Sequence, residues 1–211
     1  LTRPFLIDRT EVTQSEYNRC VIEGACTAPG SCYDLWSPET RPAFPVHGVS
    51  WLQADAYCLW VGKRLPTEAE WEKAARGTDA RKYPWGNDDG TCAEAVRYYY
   101  DGYSTCGGSG PMPVCSKSPV GDSPYGLCDM AGNVSEWVAD WYGENFYWND
   151  YYSGEPVIDP TGPSTGGERV WRSGSWAYSH YFVRTTSRGH DEPGGTSWAS
   201  YTGFRCAMDV E

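Results

Sequence analysis

Nine cysteines in 211 residues, at positions 20, 26, 32, 58, 92, 106, 115, 128 and 206, constrain this chain more than any other feature. No two of them form a Cys-x-x-Cys pair, and their spacing matches no zinc ribbon. Only three histidines are present, His47, His180 and His190, and none pairs with another at helical spacing to make a metal site. The pattern therefore predicts a disulfide-stapled fold made for an oxidising setting: secreted, periplasmic or cell-surface. The odd count leaves one thiol free or paired outside the chain. Cys20, Cys26 and Cys32 lie close enough in sequence to predict at least one local bridge, whereas the pairing among 92, 106, 115 and 128 does not follow from spacing. No leader segment is visible and the chain opens on Leu1 rather than Met, which implies a processed or trimmed polypeptide.

The length fits one domain over residues 1–211, large enough to bury a substantial core. With 11 Trp and 16 Tyr but few aliphatic residues, much of that core must be aromatic, and its indole and phenol groups need hydrogen-bond partners. The 24 Gly and 15 Pro mark it as loop-rich. A net charge of −11 without any basic stripe excludes nucleic acid as a partner, and no apolar run approaches membrane-spanning length.

Three helix starts carry the capping-box spacing: Thr13 with Glu16, Ser50 with Gln53, and Thr67 with Glu70. The first helix is expected to run to about Ile22 and stop at Gly24. The second should turn Leu52, Ala56, Leu59 and Trp60 to the core. The third should turn Trp71 and Ala74 or Ala75 inward and end at Gly77. Phe5–Asp8 reads as a short strand, and further strands are expected at 134–141, 169–172, 182–188 and 204–208. Asp88 and Asp89 belong to a turn cluster rather than a metal site. The expected architecture is α+β: two or three helices around a small twisted antiparallel sheet, with much irregular loop.

Three phrases are more specific: Gly62-Lys63-Arg64-Leu65-Pro66-Thr67-Glu68-Ala69-Glu70-Trp71-Glu72, Gly132-Asn133-Val134-Ser135-Glu136-Trp137 and Gly203-Phe204-Arg205-Cys206-Ala207. In this order and spacing they resemble the formylglycine-generating enzyme (sulfatase-modifying factor) family, whose fold is a variant of the C-type lectin fold. The resemblance implies a calcium ion held by side-chain oxygens of Asp129 and Glu136 and by backbone carbonyls of Gly132 and Val134, a donor set suited to a hard cation. The family's second calcium site needs an Asp that this chain lacks between Asp101 and Asp122. The resemblance also implies a Cys58–Cys206 bridge. Active members oxidise a substrate cysteine with two reactive cysteines five residues apart, which would fall near His180 and Thr185. This chain has no cysteine between Cys128 and Cys206.

A mixture of Trp, Tyr, Ser, Gly, His and Arg stands where the catalytic groove would be, and such mixtures suit recognition surfaces. Trp176, Tyr178, His180, Tyr181, Arg184, Trp198 and Tyr201 are the candidate ligand-binding residues, with the aromatics of 141–152 as a possible continuation. The segment from Gly174 to Arg205 also resembles the hypervariable segment of lectin-like receptors diversified by retroelements. The expected function is a non-catalytic exported module binding a protein, small-molecule or glycan ligand. The competing readings are a subunit of a larger extracellular assembly and an oxidase that uses other residues.

Overall fold

The computed structural model describes residues 1–30, 35–98, 106–148, 157–195 and 201–210. Its elements run β1 (Phe5–Ile7), α1 (Gln14–Ile22), α2 (Trp51–Trp60), α3 (Glu68–Arg76), β2 (Ser135–Trp141), β3 (Arg169–Arg172), β4 (Gly189–Asp191), β5 (Thr202–Phe204) and β6 (Ala207–Asp209). All three helices start on the expected capping boxes: Thr13, Ser50 and Thr67 each accept from the N3 amide while the N3 side chain returns the bond. These short helices have little intrinsic stability, so capping and tertiary packing hold them.

The main sheet has the order β4-β3-β2-β5 and a second ribbon pairs β1 with β6. β5 runs parallel to β2, so the main sheet is mixed rather than antiparallel throughout. The expected strand 204–208 is in fact two strands. Arg205 and Cys206 break it, because one side chain turns to a buried carboxylate and the other to a disulfide. The expected strand 182–188 is a series of turns instead, closed by Phe182 N–H donating to the Ser179 carbonyl and Ser187 N–H to that of Arg184. β4 begins only at Gly189, where a Cβ would lie 2.0 Å from the Trp171 ring.

α2 also differs from expectation. It buries Trp51, Ala54, Tyr57 and Cys58, while Leu52 and Leu59 are 58% and 62% exposed. Three anchors set this rotation: the Cys58–Cys206 bridge, the Trp51 indole N–H donating to the Val138 carbonyl at 2.7 Å, and Tyr57 stacked on Tyr17 at 5.5 Å. In a core built from rings, aromatic burial outweighs that of the leucines. α3 presents Trp71, Ala74 and Ala75 inward as expected.

Candidate functional site

The three phrases of the sequence meet at one buried point. Arg205 donates from Nε to Glu136 Oε2 at 2.7 Å and from Nη2 to Glu136 Oε1 at 2.8 Å, and both residues are fully buried. Its remaining donors serve the carbonyls of Asp8, Arg9 and Cys128. The Trp71 indole N–H closes the arrangement on Glu136 Oε2 at 2.8 Å. Helix α3, strand β2 and the β5–β6 junction are thereby joined through one bidentate ion pair.

Two further carboxylates lie in the same buried region. Glu11 accepts from Val134 N–H and from the Asn133 amide, and Asp129 accepts from Cys115 N–H at 2.6 Å. Burial pushes the Asp129 carboxyl up to about 6. Burial, helped by the charges of Asp129 and Glu136, holds Glu11 well above the ordinary carboxylate range. Gly132 takes φ +83°, and a Cβ there would sit 2.4 Å from the Val96 carbonyl, so the segment turns where only glycine fits. Its own carbonyl accepts from Ser173 Oγ at 3.0 Å. Among the described residues no three His, Cys, Asp or Glu side chains converge to hold a metal. Neither Glu11 nor the Trp71–Glu136–Arg205 link is legible in the sequence, because each depends on contacts between residues far apart in the chain.

The second candidate region is aromatic. Tyr178 stacks on Trp171 with centroids 5.8 Å apart and planes 11° apart, and lies 5.4 Å from Phe182 and 6.3 Å from Tyr201. Trp176 meets Tyr201 edge-on at 5.6 Å. Tyr181 and Phe182 are exposed, whereas Trp176, Tyr178, His180, Arg184 and Tyr201 are half-buried. His180 packs on Tyr181, and the Arg184 guanidinium lies 5.8 Å from the centre of the same ring. Trp198 lies outside the described residues. Trp171 and Phe182 join the platform although they were not among the candidate ligand-binding residues. The indole N–H groups of Trp171 and Trp176 are buried without a hydrogen-bond partner among the described residues. Of the expected continuation, Tyr147 points its phenol inward under Arg188 while Trp148 is exposed; Tyr151 and Tyr152 lie outside the described residues.

Thr185, at the second position where the resemblance places a reactive cysteine, is fully buried, and its hydroxyl donates to the carbonyls of Arg81 and Lys82. The His180 carbonyl accepts from the Tyr83 hydroxyl. Both positions are tied to the 81–89 turn. Eight of the nine cysteines form bridges: 20–26, 58–206, 92–106 and 115–128. Cys32 lies outside the described residues. Four such bridges imply folding in an oxidising compartment. Among the described residues, no helix is long and apolar enough to cross a membrane.

The family model of the sulfatase-modifying factor enzyme 1-like domain matches residues 1–210. The chain belongs to this family. It is 42% identical over 179 residues to the formylglycine-generating enzyme of Thermomonospora curvata, an alignment that covers 80% of this chain and 57% of that protein. The chain spans about half the length of the formylglycine-generating enzymes it matches. Among solved structures, variable protein 1 of Treponema denticola superposes with a TM-score of 0.72 at 26% identity, covering 98% of this chain and 84% of that one. PvdO from Pseudomonas aeruginosa gives a TM-score of 0.75 at 26% identity, covering 98% and 81%. These family structures share the C-type-lectin-like α+β fold seen here.

Proposed function

We propose that this chain is a non-catalytic, exported binding domain of the family, which recognises a protein, small-molecule or glycan ligand through the aromatic platform around Trp176, Tyr178, Tyr181 and Tyr201. The observation that carries this reading is the state of the cysteines. Oxidation of a substrate cysteine by a pair of reactive cysteines needs two thiols within reach of each other. Here eight cysteines are bridged, none lies between Cys128 and Cys206, and a single remaining cysteine cannot make a pair. The platform offers what recognition needs: rings held by one another, exposed Tyr181 and Phe182, and a cation at Arg184.

Identity to formylglycine-generating enzymes favours the competing reading, an oxidase that uses other residues. Incubation with a Cys-x-Pro-x-Arg sulfatase-type peptide, oxygen and copper separates the two. No aldehyde is expected by mass spectrometry. Aldehyde formed with turnover would overturn the non-catalytic reading.

The same proposal includes calcium at Asp129, Gly132, Val134 and Glu136. Three buried carboxyl groups, Glu11, Asp129 and Glu136, share one guanidinium, Arg205, and a dication bound beside them would favour their ionised forms. Glu136 Oε1 accepts one hydrogen bond and keeps a lone pair, as does the Gly132 carbonyl, so the donor set fits a cation fed largely by backbone oxygens. The ion would supply charge balance and order to the 129–136 segment. Saturating calcium is expected to raise the melting temperature by about 5–10 °C over chelator, on the scale of ~2.7 kcal/mol at a hundredfold excess over Kd. Asp129→Asn should remove most of that rise. Identical melting curves in calcium and chelator would refute the site.

A further inference from the structure

A cleft of about 410 Å³ opens between α2 and the β2–β3 hairpin, with Trp51, Asp55, Leu65, Ala139, Asp159 and Arg169 among its lining residues. Its central cation is held in an unusual way. The Arg169 guanidinium lies 3.8 Å from the Trp51 ring centre on one side and 3.5 Å from that of Trp141 on the other. Nη1 donates to the Ala139 carbonyl, and Trp51 is itself fixed by its bond to Val138. Two aromatic faces and a backbone bond thus fix the orientation of this charge within the fold.

The other charged side chains around the cleft are already engaged. Arg64 is bound by Glu70 at 2.7 Å and also pairs with Asp209, and Asp159 holds Thr2 and faces Arg3 at 3.9 Å. Asp55 is different. It lies on α2 facing the same space, half-buried, and Arg169 acts on it electrostatically, yet among the described residues it accepts no hydrogen bond and makes no ion pair. Opposite charges held apart in a partly desolvated cleft leave their attraction to be used by whatever bridges them. An anion alone would meet Arg169 but be opposed by Asp55, and a cation alone would meet the reverse. A group with both charges satisfies both.

We infer that this cleft binds a small zwitterion of the free amino-acid class, with its ammonium on Asp55 and its carboxylate on Arg169. The apolar surface of Leu65 and Ala139 receives its side chain, and the cleft has room for any of the common amino acids. The site is separate from the aromatic platform and from the 129–136 segment, so neither the calcium response nor the aldehyde assay bears on it.

Calorimetric titration of the whole, calcium-supplied chain with each of the common amino acids tests the inference. At least one is expected to bind saturably, while the matching acid without its amine and the matching amine without its acid do not. Asp55→Asn leaves the Trp51–Arg169–Trp141 stack intact and should weaken binding about tenfold or more. Arg169→Lys should do the same, and if that variant fails to fold, Asp55→Asn decides alone. A purely structural stack that fastens α2 to the hairpin gives none of these results. The inference is overturned if no amino acid binds below about 10 mM, if the singly charged analogues bind as well, or if Asp55→Asn binds like the parent.

Discussion

Replacing Arg205 by Met is expected to cost about 3–5 kcal/mol, the range seen when one partner of a buried ion pair is removed. Arg205 uses its guanidinium on both oxygens of Glu136 and on three backbone carbonyls, with no exposed surface on either side chain. Its loss leaves Glu136 charged beside Asp129 and Glu11, with no cation among the side chains of the cluster. Arg205→Lys should recover little, since one ammonium cannot reproduce the planar fork. The double variant Glu136→Met with Arg205→Met should be more stable than Arg205→Met alone, because the stranded charge is gone. Urea unfolding in chelator measures all three. An Arg205→Met variant within about 1 kcal/mol of the parent would show that the ion pair is not what joins α3, β2 and the β5–β6 junction.

The elements that could be read from the sequence are those whose signals are local. Thr13, Ser50 and Thr67 announce their helices because a cap and its N3 partner lie within one turn of chain. Periodicity assigns α2 the wrong face because it treats Leu52 and Leu59 as the best core formers. In this chain Trp51, Tyr57 and Cys58 have partners elsewhere, Val138, Tyr17 and Cys206, that leucine cannot replace. The 182–188 segment has the aromatic and β-branched residues of a strand in Phe182, Val183, Thr185 and Thr186, but Thr185 is bound to the carbonyls of Arg81 and Lys82, and the surrounding serines close turns. The candidate platform was partly legible: Tyr178 and Tyr201 are in it, whereas Trp171 comes from a strand whose side chains alternate between faces. Glu11 carried no signal at all. Its role depends on Asn133 and Val134, more than a hundred residues away.

Asp140 sets the second large expectation, a stability that falls as pH rises. Its carboxyl is 1% exposed; Oδ2 accepts from the Glu68 amide and Oδ1 is buried with no partner among the described residues. Burial pushes it up to about 7, with the charges of Glu68 and Glu70 adding to the rise and the Glu68 amide and Arg188 opposing it. The folded chain therefore binds this proton more tightly than the unfolded chain does. The resulting stabilisation is fully present below the unfolded value near 4, and is lost as pH rises through about 7. The interval corresponds to about 4 kcal/mol. Asp140→Asn keeps an acceptor for the Glu68 amide and removes the titration. Its unfolding free energy should exceed the parent's at pH 8, converge with it near pH 4, and show a shallower slope between. The slope that remains belongs to the other carboxyl groups raised by burial, Glu11, Asp129 and Asp55, whose shifts have the same sign. Urea unfolding at several pH values reads this directly, and parallel curves for the two proteins would mean that Asp140 is ionised throughout.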